Sequence, residues 1–147
     1  MKTSDPEVIK QLLADLRHYS KEVRRTAVIK LGMVGGDEAL RALILTVGNN
    51  NEDLIVRGRA ALMLGKLGDP VAVESLIRAL DAPGFQTPFY AAQSLGKLGD
   101  ARAIEPLLNM LHSSNDKVRQ AALESLERLG YDIADEDKSP ALEGEES

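Results

Sequence analysis

Apolar residues recur along the chain three and four positions apart, the spacing that lines one side of a helix, and each run stops at a short polar or glycine-rich break. Val8, Ile9, Leu12, Leu13 and Leu16 predict an amphipathic helix over residues 6–17. Asp5-Pro6 opens it, because an aspartate accepts the free amides of a first turn and a proline loses no hydrogen bond there. His18-Tyr19-Ser20 breaks it, and Val23, Ala27, Leu31 and Val34 carry a second helix over 21–34 that Gly35-Gly36 ends. The alternation continues: Leu40, Leu43, Ile44 and Val47, a break from Gly48 to Asn51, then Val56, Ala60, Leu64 and Leu67. Val73, Leu76, Ile77 and Leu80 precede the turn Asp81 to Gly84, and Ala91, Leu95 and Leu98 follow it. Ile104, Leu107, Leu108 and Leu111 precede Ser113-Ser114-Asn115, and Val118, Ala122, Leu126 and Leu129 follow. Eight helices in four hairpins are predicted.

The hairpins are copies of one another. The phrase LGKLGD stands at 64–69 and again at 95–100, with a looser LGMVGGD from Leu31 and a worn LERLGYD from Leu126, so the opening leucines lie 33, 31 and 31 residues apart. A fixed spacing of this length marks a repeat array, whose units each leave an apolar face uncovered and must stack to bury it. Ala27, Ala60, Ala91 and Ala122 on the inner stripe let neighbouring helices approach, the twin glycines serve the turn between units, and Asp37, Asp69 and Asp100 cap the helices after them.

Val23-Arg24-x-x-Ala27-x-x-x-Leu31-Gly32, Val56-Arg57-x-x-Ala60-x-x-x-Leu64-Gly65 and Val118-Arg119-x-x-Ala122-x-x-x-Leu126 resemble the HEAT-like repeat in its short form, named after phycobilisome lyases. Asp100-x-x-Ala103-Ile104-x-Pro106-Leu107-Leu108 resembles that repeat's first helix. Ankyrin and tetratricopeptide arrays have similar periods, but their TPLH and Trp/Tyr signatures are missing. The resemblance covers residues 5–130. It implies an all-α fold, a right-handed α-solenoid of four HEAT-like hairpins at about 5–35, 36–68, 69–99 and 100–130, within a repeat domain of residues 1–130. The third unit departs from the pattern: Thr87 and Pro88 replace Val and Arg, and Thr87 is expected to cap a helix that starts late after a longer loop.

Composition narrows the chemistry. Cysteine is absent, which removes thiol catalysis, cysteine-bound zinc and a thioether-linked chromophore. No apolar run is long enough to cross a bilayer and the start, MKTSDPEV, lacks a signal peptide's apolar stretch, so a cytoplasmic protein without membrane contact is expected. Residues 132–147 hold seven acids against one lysine and form an expected disordered tail, 131–147; residues 1–131 hold 17 basic and 16 acidic side chains. A body so near neutrality has no footprint for nucleic acid, and five aromatics (Tyr19, Phe85, Phe89, Tyr90, Tyr131) are too few for base stacking.

Catalytic groupings are not visible. His18 and His112 each end a first helix, where a cation suits the dipole; the paired His-Glu dipeptides of HEAT-like hydroxylases are missing, so no metal or other cofactor is expected. Arg24, Arg57 and Arg119 recur once per unit and could form an anion-binding ladder. The resemblance implies instead that each pairs with an acid or with turn carbonyls.

The side of each second helix opposite the buried stripe is more informative. At 100° per residue, positions two, six and ten after the valine or its equivalent lie furthest from the core. They read Arg25, Ile29, Met33; Gly58, Leu62, Lys66; Phe89, Gln93, Lys97; and Gln120, Glu124, Arg128. Ile29, Met33, Leu62 and Phe89, with Met63 and Tyr90 beside them, form an apolar strip fringed by Arg25, Arg59, Lys66 and Lys97. In a solenoid these become neighbours on the concave side, and an apolar strip with a charged rim marks a protein-binding surface. The expectation is therefore a non-catalytic interaction scaffold or assembly factor. It would grip another protein, of acidic character, through Arg25, Ile29, Met33, Arg59, Leu62, Lys66, Phe89, Tyr90, Gln93 and Lys97, with a homodimer contact as the competing use of the strip. The resemblance implies an alternative: a bilin lyase subunit or chromophore chaperone acting on phycobiliproteins, holding any tetrapyrrole without a covalent bond.

Overall fold

The computed structural model describes residues 5–133, and within them every regular element is helical. The helices are α1 (Pro6–Asp15), α2 (Lys21–Val34), α3 (Asp37–Val47), α4 (Leu54–Leu67), α5 (Val73–Ala79), α6 (Gln86–Leu98), α7 (Ile104–Met110) and α8 (Asp116–Arg128). Single 3-10 turns at Pro70–Ala72 and Ala101–Ala103 lead into α5 and α7. Four hairpins, α1/α2, α3/α4, α5/α6 and α7/α8, stack in chain order as an α-solenoid. Leu31, Leu64, Leu95 and Leu126, which open the repeated phrase, are all fully buried, as are Leu43, Leu76 and Leu107 on the first helices. Among the described residues no helix is long and apolar enough to cross a membrane.

The two layers differ in tightness. The second helices α2, α4, α6 and α8 form an unbroken row, each packed closely on the next, whereas α1, α3 and α5 touch one another only slightly. A two-layered stack held tighter in one layer bends toward that layer, which makes the second-helix row the inner wall.

The tight row depends on the first glycine of each phrase. Gly65 lies inside α4 against α6, where a Cβ would stand 2.6 Å from Ser94 Cβ and 2.9 Å from Ser94 Cα; on Gly96 a Cβ would stand 2.7 and 2.9 Å from the same atoms of Ser125. These separations are below van der Waals contact, so only glycine fits. The facing serines hydrogen-bond across the gap, Ser94 Oγ donating to the Ala61 carbonyl and Ser125 Oγ to the Ala92 carbonyl, each at 2.6 Å. Gly32 faces Met63 in the same manner, without a hydroxyl. Both glycines were expected to serve turns, but only the second does: Gly68 and Gly99 close α4 and α6 in the left-handed region, at φ 74° and 69°.

Two capping expectations are also corrected. Asp69 and Asp100 accept the amides of Val71 and Arg102 at 2.9 Å, but the extra glycine of the first phrase puts Gly36 at the cap of α3 and moves Asp37 inside its first turn. Thr87 does not cap α6. The helix begins at Gln86, and Thr87 is fully buried with Oγ1 unpaired, because it fills the core site that Val56 fills one repeat earlier. At the far end Tyr131 and Ile133 pack against the core, and the rest of the acidic tail, 134–147, lies outside the described residues.

Candidate partner-binding surface

Phe89 and Tyr90 enter the inner wall together near the start of α6, their rings edge to face with centroids 5.0 Å apart. Tyr90 is braced from α4: Gly58 leaves room for it, and a Cβ there would come within 3.3 Å of Tyr90 Cδ2. With Gln86 and Gln93 of α6, and Lys117, Gln120, Ala121 and Glu124 of α8, the two rings wall an open groove of about 540 Å³. Phe85, 39% exposed, closes one end with the Lys117 amine 5.9 Å from its ring centroid. At the other end Gln93, Lys97, Glu124 and Arg128 line an adjoining hollow of about 150 Å³. The result is an aromatic floor rimmed by amides and by charges of both signs.

Phe89, Tyr90 and Gln93 are thus brought together, with Lys97 adjoining. The other predicted contacts are placed differently. Ile29 and Leu62 are half-buried against the core, Arg59 is partly exposed and Lys66 is exposed. Met33, 70% exposed, lines a separate hollow of about 430 Å³ between α1 and α2, together with Val8, Gln11 and Lys30. Arg25 is already engaged within the chain by both oxygens of Asp53. Gln120 and Glu124 occupy wheel positions equivalent to Phe89 and Gln93, where polar side chains look like ordinary solvated surface. Phe85 precedes its helix, so no helical period could place it.

The recurrent arginines tie α2, α4 and α8 to the carbonyl ends of their hairpin partners. Arg24 Nη1 donates to the carbonyls of His18 and Tyr19, at 2.8 and 3.0 Å, and its Nε reaches both Glu52 oxygens at 3.1 Å. Arg119 Nη1 donates to the Ser113 carbonyl at 2.6 Å, and its Nη2 pairs with Asp116. Arg57 Nε donates to the Val47 carbonyl at 3.1 Å. His18 accepts the Ser20 amide through Nδ1 at 2.9 Å, which closes the turn between α1 and α2. Arg102 holds the Asp100 carboxyl down to about 2 by direct hydrogen bonding, assisted by the Arg102 amide. Among the described residues no group of three or more His, Cys, Asp or Glu side chains is placed to hold a metal ion.

Comparison with solved structures gives the same architecture. The complex of CpcE and CpcF of phycocyanin lyase from Nostoc sp. PCC7120 matches with a TM-score of 0.74 and 28% identity, over 88% of this chain and 56% of that one. Human deoxyhypusine hydroxylase, in complex with glycerol, matches with a TM-score of 0.72 and 21% identity, over 86% and 45%, and an engineered protein with 0.62 and 19%, over 83% and 62%. The chain therefore spans between about half and three-fifths of the length of these relatives, and at these identities the latter two speak for the fold alone. Comparison with curated protein sequences returns no match. The profile of the HEAT repeats family matches residues 7–87 and 85–144. The chain belongs to the HEAT repeat family.

Proposed function

We propose that this chain is a non-catalytic scaffold that binds a partner protein along its second-helix row, with the groove between α6 and α8 as the principal contact. The observation that supports this most is the pair Phe89 and Tyr90, half-buried on a rigid helix and ringed by Gln86, Gln93, Lys117, Gln120 and Glu124. Aromatic anchors inside a polar rim are what protein interfaces use for affinity and exclusion of water. Lys66 and Lys97 extend the exposed positive rim along α4 and α6 and favour an acidic partner. Phe89→Ala and Tyr90→Ala each weaken capture of the partner while leaving the helical circular dichroism unchanged; undiminished capture by both rejects the reading.

A second reading rests on the 28% identity to the phycocyanin lyase complex, itself an assembly of two proteins. Here the same surface docks a companion subunit, and the pair acts on a phycobiliprotein. Mixing the chain with a free bilin, with and without a candidate companion subunit, distinguishes the readings: a shift in bilin absorption supports the second, and an unchanged spectrum leaves protein binding alone.

A further inference from the structure

Arg57 differs from the other recurrent arginines. It is only 4% exposed, yet its Nη1 has no hydrogen-bond partner, and no carboxylate pairs with it among the described residues. Arg24 has Glu52 and Arg119 has Asp116. By the 31-residue spacing, the place of Glu52 falls on Pro83 in the third unit, so the chain supplies no acid where the pattern of the first unit would put one. A buried guanidinium without a counterion is costly, and such groups are normally paired.

Arg57 lines an open cleft of about 390 Å³ between α3, α4 and α5, together with Asn50, Ser75, Arg78 and the apolar Leu45 and Ala79. Arg78 Nη2 donates to Ser75 Oγ at 3.4 Å, which holds a second guanidinium at the same cleft, and Arg78 also has no carboxylate partner among the described residues. Two guanidiniums, a hydroxyl and an amide thus converge where none of the lining residues is an acid. Burial alone lowers the Arg57 pKa, as expected of a desolvated cation that no anion compensates.

We propose that this cleft is a binding site for one oxyanion, a phosphate or carboxylate group, held by the exposed Arg78 with the uncompensated charge of Arg57 buried behind it. Guanidinium forks match both groups in geometry and charge. The site lies apart from the α6–α8 groove and does not depend on what that groove binds. The next cleft along provides an internal control: Pro88 takes the place of Arg57, the lining includes Asp81, and it has no guanidinium.

The test is an NMR titration of the full chain with sodium phosphate and, separately, sodium acetate, at ionic strength held constant with sodium chloride. Saturable shifts of the Arg57 Nε–H and of the Gly48 and Asn50 amides are expected with at least one oxyanion, and whichever saturates identifies the source. The Asn115 amide of the control cleft should not respond. Arg57 variants risk unfolding, so Arg78→Met and Ser75→Ala serve instead; Arg78→Met should weaken the oxyanion by roughly tenfold, the scale of one lost charge-assisted hydrogen bond. Shifts with phosphate and acetate no larger than with chloride alone would mean a merely hydrated cleft and overturn the proposal, as would equal affinity in Arg78→Met.

Discussion

Arg25 of α2 grips both oxygens of Asp53, Nε to Oδ2 at 2.8 Å and Nη2 to Oδ1 at 3.0 Å, while Oδ2 also accepts the Val56 amide at 3.1 Å. One carboxylate therefore caps α4 and joins the first hairpin to the second. The Arg25 hydrogen bonds, with the Val56 amide adding to them against the opposing effect of burial, hold the Asp53 carboxyl down to about 2. Since this lies below the unfolded value of about 4, the stabilisation is complete above pH 4 and is lost as pH falls toward 2. Asp53→Ala should cost about 1 kcal/mol through the cap at neutral pH. Thermal unfolding of wild type and Asp53→Asn between pH 7 and 2 should show their difference shrinking through that acid window; a constant difference would contradict the assignment.

The two glycines of LGKLG should respond differently to alanine. At Gly65 the new Cβ meets Ser94 and forces α4 and α6 apart, an overpacking cost of about 3 kcal/mol. At Gly68 nothing lies within 4 Å and the cost is only that of a left-handed backbone, about 1 kcal/mol. Urea unfolding of Gly65→Ala and Gly68→Ala checks the order, and Gly96→Ala should behave like Gly65→Ala.

Thr87 offers a stabilising change. Its hydroxyl is fully buried and unpaired in a site that takes valine in the second and fourth units. Thr87→Val keeps the shape and removes the unsatisfied group, so stability should rise by about 1 kcal/mol. A fall in the unfolding midpoint would show that Oγ1 has a partner in solution.

The helices and their stacking were readable because Leu31, Leu64, Leu95 and Leu126 repeat on a period that only an array produces, and because glycine ends several helices. The inner wall was less readable for a physical reason. A helical wheel assumes one buried side, but each second helix also packs against its neighbours in the row, so Ile29 and Leu62 sink partly into the wall and Gly58 disappears beneath Tyr90. The pairing of Arg25 with Asp53 joins residues 28 apart and follows no local rule. The contact role of Gly65 and Gly96 did leave a trace: Ser94 and Ser125 share their 31-residue spacing, small residues facing small residues.

On the proposed function, a partner protein sits in the α6–α8 groove. Affinity capture from the native source, run in parallel with wild type, Phe89→Ala, Tyr90→Ala and the exposed control Val71→Ala, probes the groove itself. A protein retained by wild type and by Val71→Ala and lost from both groove variants is expected; the same proteins retained equally by all four would overturn the proposal.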